Sequence, residues 1–294
     1  MFQTRCVKIF FLSGWVFLVA WSFSGCAARK PAWMEMKSGV VLEYRMPEKA
    51  ALKYRNSSLL VQTLKFGEQS MVTRIDNRSV FSMRPKGIDG TALRIHVTLD
   101  SASIGIQSPG GNLSPNMDSV VGKGFDMTFS KLGKEIDVSE AGTLKYDLGQ
   151  AGERTLESEF QAFFDDLPGK PVRPGDAWTS SDTLNMNQSG NKTQLVFNNL
   201  STFKAIEKIQ GLNCVRIQTE STGFIKGSGE QGGAEFLIEG TIKASGAWYF
   251  AVQEGILVKS STEATTESMI QISGPQTMTL PMAMVVNSEK SVVK

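Results

Sequence analysis

The chain has 294 residues, 41% of them hydrophobic, and 31 basic against 29 acidic side chains, for a formal charge of +2. That length can build one large β-domain or two smaller ones with a substantial core, and the balanced charge lacks the basic face that nucleic acid requires. One histidine and three cysteines are too few for a zinc site or a disulfide framework.

The N-terminus carries Arg5 and Lys8, then an apolar run from Ile9 to Phe23, then Phe23-Ser24-Gly25-Cys26. The run is too short to span a bilayer comfortably and ends in small residues before a cysteine, the layout of a segment that is cut. Residues 1–25 therefore read as a signal peptide, Cys26 as the first mature residue, and 26–38 as a tether. The spacing resembles the bacterial lipobox, with Phe23 where that motif usually has Leu. The resemblance implies a diacylglyceryl group on the Cys26 sulfur and a membrane as partner. Ala27 is not the acidic residue that retains some lipoproteins in an inner membrane. The implied address is the outer membrane facing the periplasm, or the outside of a single-membrane cell.

From Gly39 onward the dominant signal is period-two alternation, the mark of strands with one buried face. Leu93, Ile95, Val97 and Leu99 share a face, as do Phe125, Met127 and Phe129, Val215 and Ile217, and Trp248 and Phe250. Gly133 and Gly255 mark two hairpins. Gly227 to Gly233 reads as a flexible hairpin loop. Between Glu153 and Asp166 the residues Leu156, Phe160, Phe163 and Phe164 fall at helical spacing, continued by Leu167 and ended by Pro168, which predicts one amphipathic helix. A connector with three prolines follows, to Trp178. The fold class is mainly β, either one curved antiparallel sheet or two half-barrel-like repeats joined by that helix. The organisation is an N-terminal β half at 39–150, helix and connector at 151–178, and a C-terminal β half at 179–294. Asn77/Ser79/Phe81 against Asn199/Ser201/Phe203, Leu93-Arg94-Ile95 against Val215-Arg216-Ile217, and Gly133 against Gly255 all share one offset, which suggests a diverged duplication.

Chemistry-bearing residues are sparse. His96 sits on the polar face of a strand and suits a hydrogen-bonded sheet residue better than a base or ligand. Cys214, between strand-like neighbours, suits a buried small hydrophobe. Asp165, Asp166 and Asp176 flank the connector, where carboxylates more often serve turns than catalysis. The expectation is a non-enzyme with no catalytic residue, no metal and no cofactor.

One pattern points to binding. Met278, Leu280, Met282, Met284 and Val286 share one face of an extended run, and unbranched methionines suit mobile apolar ligands as well as irregular core gaps. Pro281 within the run suggests an edge or a bulge. The segment Leu167-Pro168-x-Lys170-x-Val172-x-x-Gly175-Asp176-x-Trp178 resembles that of an uncharacterised family of bacterial lipoproteins, a domain of unknown function, which brings no activity with it. In layout the chain also loosely resembles half-barrel periplasmic lipoprotein carriers. The expected function is binding of a lipid or hydrophobic ligand in an apolar groove lined by Phe160, Phe163, Phe164, Met278, Met282 and Met284. The alternative is an assembly protein that grips another envelope protein through sheet edges or loops.

Overall fold

A computed structural model describes residues 39–293 apart from 48–49, 150–151, 189, 232 and 275–276. The signal peptide, Cys26 and the tether lie outside the described residues. The first half contributes β1 (Leu52–Phe66), β2 (Gln69–Asp89), β3 (Ala92–Ser108), β4 (Gly111–Leu113), β5 (Gly124–Ser130), β6 (Glu135–Asp137), β7 (Lys145–Asp147) and β8 (Glu153–Thr155). After the single-turn helix α1 (Glu157–Phe160) come β9 (Ala177–Gln188), β10 (Asn191–Ile209), β11 (Leu212–Gln231), β12 (Ala234–Ala251), β13 (Ile256–Ser273) and β14 (Met278–Val293). Twelve of the strands form one antiparallel sheet in the order β6-β5-β3-β2-β1-β14-β13-β12-β11-β10-β9, with β4 beside β3. Of the two architectures predicted, the chain adopts the single curved sheet: β1 pairs with β14 and welds the halves together.

The alternating strands are long because their alternation is long. β2 runs for 21 residues, roughly 65–70 Å at the usual strand rise. Two levels result, a lower one near the chain's described ends and an upper one at the hairpin tips.

At the lower level the sheet curls around an aromatic plug. Phe160, Phe163 and Phe164 are at most 5% exposed and meet rings from distant strands. Phe160 packs edge-on to Phe81 at 4.9 Å and to Phe125 at 4.9 Å. Phe164 stacks on Phe129 at 4.2 Å. Tyr44 touches Phe129, Phe164 and Phe250, so β5 and β12, six places apart in the sheet order, converge on one ring. Such edge-to-face and offset arrangements suit the ring quadrupoles.

The predicted helix over 153–166 is corrected to one turn. Glu153–Thr155 pairs with β7 as β8, and the chain leaves helical geometry after Phe160. Helical spacing would send adjacent Phe163 and Phe164 about 100° apart on one cylinder. Instead, Phe163 stacks on Phe160 and Phe164 reaches Phe129. Ring burial overrides the modest helix propensity.

The residues 39–46 cross the lower end. Val40 bridges Val172, Tyr44 N donates to the Lys131 carbonyl, and Arg45 N to the Gly255 carbonyl. The predicted turn glycines Gly133 and Gly255 both have positive φ. A Cβ at Gly133 would press on Tyr44 and the Asp165 carbonyl, and one at Gly255 on Arg45. Both hairpins therefore need glycine for conformation and for space.

At the upper level the register shows how the sheet bends. The inner face of β11 and β12 alternates nothing with something: Gly223 faces Ile242, Ile225 faces Gly240, Gly227 faces Ile238, and Gly229 faces Phe236. The predicted hairpin loop at Gly227–Gly233 is thus shortened: β11 runs to Gln231, and of the predicted glycines Gly233 lies in the turn while Gly227 and Gly229 lie in the strand. Those glycines are strand residues that let large neighbours fold over them.

The first hairpins of the two halves share a register. Asn56 faces Ser79 and Trp178 faces Ser201, with turns at the same places, all at an offset of 122. The third strand does not keep it, because Phe81 faces Leu99 whereas Phe203 faces Ile217.

Candidate functional site

The inner face is fixed by two contacts. Lys290 sits over the Phe163 ring, 3.9 Å from its centroid, and also donates to the Phe163 carbonyl. Register then carries the face upward. Along β14 it includes Lys290, Ser288, Val286, Met284, Met282 and Leu280, and along β1 the opposite residues Asn56, Ser58, Leu60, Gln62 and Leu64. Strand alternation puts every second residue on one side.

This face has three bands. Lowest is the aromatic plug. Above it lies a polar belt, with Asn56, Ser79 and Lys290 side by side on β1, β2 and β14, and Ser58, Asn77 and Ser288 one step higher. Higher still is an apolar wall of Leu60, Ile75, Val286, Met284, Leu64 and Met282, continuing through Ile270 and Ile238 to Leu195 and Leu184. Much of this wall is only half-buried.

The predicted site residues fall into two groups on the same face. Phe160, Phe163 and Phe164 lie together in the plug, sealed by other rings. Met282 is buried, Met284 half-buried and Met278 47% exposed, so these three line the wall. From Met284 to Lys290 is six residues, roughly 20 Å of strand. The polar belt separates the groups, and sequence reasoning missed it. The signal was present: Lys290 continues the same parity as Met282 and Met284, a cation on a buried face. β14 lies in the middle of the sheet. Pro281 stands one residue beyond Met282, the last residue of β14 that pairs with β1, so it occupies a local edge where its missing N–H costs nothing on that side.

Ionisable groups gather around the plug. Burial pushes the Glu135 carboxyl up to about 7, although it accepts the Phe164 N–H at 3.1 Å. Burial likewise raises Glu159 to about 7, with Asn77 as its hydrogen-bond partner, and Asp165 to about 6. The Lys290 ammonium is pulled down by burial, opposed by the fields of Asp165 and Glu135. These shifts come from desolvation of the charged form.

The sheet's edges approach but do not pair. Lys134 Nζ donates to Asp182 Oδ1 at 2.6 Å and to the Ser181 carbonyl at 2.8 Å. Gln161 takes the Asn185 N–H at 2.8 Å and gives its own N–H to the Asn185 carbonyl at 3.2 Å. These side chains occupy backbone groups that an edge strand would otherwise offer to another chain. A cavity of about 330 Å³ lies at this seam, bordered by Lys134, Glu135, Gln161 and Asp182.

Larger hollows, about 810 and 670 Å³, open on the opposite face and share Leu59, Asp76 and Arg78. They are shallow spaces above short side chains such as Ser57, Ser103, Ser245 and Ser261, and none of the predicted residues lines them. That outer face carries exposed Arg74, Arg78, Lys226, Glu239, Lys243 and Glu263 in mid-strand, which a lipid-facing barrel wall would not tolerate. No helix of the described residues is long and apolar enough to cross a membrane.

The remaining sequence candidates have structural partners. His96 Nδ1 lies 2.7 Å from Asp126 Oδ1, and Lys86 bonds the other oxygen. Cys214 is fully buried, its thiol pushed up to about 11 by burial. Asp176 accepts the Arg173 N–H at 2.8 Å. Trp178 is buried against Trp248 and donates to the Asp166 carbonyl at 3.0 Å. Among the described residues no three His, Cys, Asp or Glu side chains are placed to hold a metal ion.

No family model and no curated protein matches the chain. Among solved structures, the β domain of the Bordetella autotransporter Brka is 8% identical, covering 83% of this chain and 100% of its own, with a TM-score of 0.25. An outer membrane channel from Pseudomonas putida F1 is 9% identical, covering 85% of this chain and 98% of its own, also with a TM-score of 0.25. At that TM-score neither likeness carries an argument about fold, activity or address.

Proposed function

We propose that this chain is a lipid-anchored, non-enzymatic protein of the bacterial envelope that binds a hydrophobic ligand along the upper inner face of its sheet. The observation that supports this reading is the apolar wall around Met282 and Met284, which continues above the polar belt over many strands without a covering helix among the described residues. The N-terminal Ser24-Gly25-Cys26 sequence supports the anchor at Cys26 and an outer-membrane, periplasm-facing address. Met278, Met282 and Met284 line the groove in this reading. Phe160, Phe163 and Phe164 close its lower end. Apolar contact supplies the affinity, at about 25 cal/mol per Å² buried before association costs. Gln161 and Lys134 already occupy part of the β9 edge, which weighs against the alternative of strand-edge docking by another protein.

The test is native mass spectrometry with solvent extraction on the mature protein, alongside a Met282→Lys/Met284→Lys variant. Stoichiometric extractable lipid is expected in the wild type and none in the variant, with the far-ultraviolet circular dichroism of both unchanged. Equal lipid in both would remove the wall as the site.

A further inference from the structure

Two buried polar atoms on the inner face have no hydrogen-bond partner, Asn56 Oδ1 and Ser79 Oγ. They are neighbours. Asn56 faces Ser79 across β1 and β2, and faces Lys290 across β1 and β14, so the three side chains stand in one row about 5 Å apart at Cβ. Ser79 is only 4% exposed. An unpaired buried hydroxyl or amide costs about 1–3 kcal/mol, and two in one row with a cation mark a row built for something other than packing. Above the plug, Lys290 is the only cationic side chain that the described long strands turn inward. Lys53, Arg55, Arg74, Arg78, Lys226 and Lys243 all fall on the outer parity. Elsewhere on the inner face polar side chains pair with one another: Ser201 bonds Thr219, Trp248 donates to Thr219, and Ser221 donates to Asn199.

We infer that the ligand is a single-chain amphiphile with a carboxylate head, held head-down at Lys290, Ser79 and Asn56 with its chain running up the wall past Leu60, Val286 and Met284. This rests on the groove reading above and adds the head group, the chain polarity and the residues that select them. Lys290, whose ammonium swings off the Phe163 ring, and the Ser79 hydroxyl donate to a carboxylate, and Asn56 joins them with its amide flipped, so that Nδ2 takes the place of the unpaired acceptor Oδ1. The rise from Lys290 to Met282 is eight residues, roughly 26 Å, longer than an extended sixteen-carbon chain. The nearby carboxyls, Glu159 beside this row and Asp165 and Glu135 beside Lys290, are raised by burial to about 7, about 6 and about 7, so their repulsion of the head fades as pH falls below 6.

The experiment is titration calorimetry of delipidated mature protein with palmitate and with monopalmitoylglycerol, which has the same chain and a neutral head. Palmitate is expected to bind about tenfold more tightly, as a charge-assisted bond requires. Lys290→Met removes that preference and leaves the neutral lipid unchanged, Lys290→Arg keeps it, and Ser79→Ala weakens palmitate alone by about threefold to tenfold. Equal affinity for both probes in the wild type, or palmitate binding that neither Lys290→Met nor Ser79→Ala alters, overturns the head-group assignment while the groove stands. Failure of both probes to bind overturns the groove and the assignment together.

Discussion

The lower and upper levels of this sheet use the same strands and achieve burial by opposite means. Below, large rings from the connector fill the space that the sheet encloses, and Phe160, Phe163 and Phe164 each meet several other aromatic rings. Above, no segment of the described chain covers the inner face, and the strands fit against each other by setting glycine opposite isoleucine or phenylalanine. A filled interior is rigid and intolerant of lost volume. A wall of side chains with glycine gaps keeps its register but leaves apolar surface for something else to cover. The comparison assigns stability to the lower level and binding to the upper one.

The largest effect is expected from emptying the plug. Phe163→Ala removes a ring packed on Phe160, Phe81, Tyr54 and Lys290 and should cost about 3–5 kcal/mol, read as a shift in the urea midpoint. Met284→Ala, on the half-buried wall, should cost well under half of that. Equal losses at the two positions would erase the distinction between the levels.

Proton linkage sharpens the same contrast, because the three carboxyls lifted furthest by burial all surround the plug. Glu135 and Glu159 rise from 4.5 to about 7, and Asp165 from 3.8 to about 6. A carboxyl whose folded value is raised contributes stability that is complete below its unfolded value and lost as pH climbs through the folded one. Asp100 and Asp126 are lowered, mainly through bonds to Lys53 and Lys86 that outweigh their desolvation, and their contribution is lost on acidification. Stability should therefore peak near pH 4–5 and fall on going to pH 8, each of the three shifts contributing at most about 3 kcal/mol. Urea midpoints across that range check it, and Glu159→Gln should flatten the slope. A flat profile in the wild type would mean that these carboxyls are solvated.

Upper-level curvature is tested by filling a glycine gap. A Cβ at Gly240 would press on the Glu267 carbonyl and on Ser268. Gly240→Val should cost about 1–3 kcal/mol by overpacking and should loosen β12 and β13 at their upper ends first, visible as faster amide exchange there than at Trp248. Exchange that rises uniformly along both strands would show that the two levels unfold as one unit.

Strands were legible in this sequence wherever alternation was sustained, as at Leu93–Leu99 and Phe125–Phe129, because period two has one physical meaning on a half-buried sheet. The Gly133 and Gly255 turns were legible for the same reason. The connector was not. Its apolar spacing matched a helix, but where rings go depends on which distant rings receive them, and no local pattern records that Phe129 waits for Phe164. Glycines 227 and 229 misread as a loop for a related reason: their partners Ile238 and Phe236 belong to the next strand. The methionine face was read correctly as one face, and its separation from the phenylalanines was hidden because register, unlike parity, is set by pairing across strands.

The smallest effect concerns the seam, where Lys134 and Gln161 reach β9 at Ser181, Asp182 and Asn185. Gln161 forms two hydrogen bonds to the backbone of Asn185 on β9, and each such bond is worth about 0.5–1.5 kcal/mol net. Because Asn185 is exposed and water replaces the lost amide, Gln161→Ala should cost no more than about 1 kcal/mol. Its consequence for specificity is larger than for stability. An edge strand freed of its cap offers a backbone donor and acceptor to any second strand, so the variant should gain a concentration-dependent dimer in sedimentation velocity while its urea midpoint hardly moves. Met284→Lys, which alters the wall and leaves the edge alone, should stay at the wild-type sedimentation coefficient. If Gln161→Ala also keeps the wild-type sedimentation coefficient, the edge is protected by the Lys134 bonds to Ser181 and Asp182 alone, and the double variant with Lys134→Ala is then the one expected to associate.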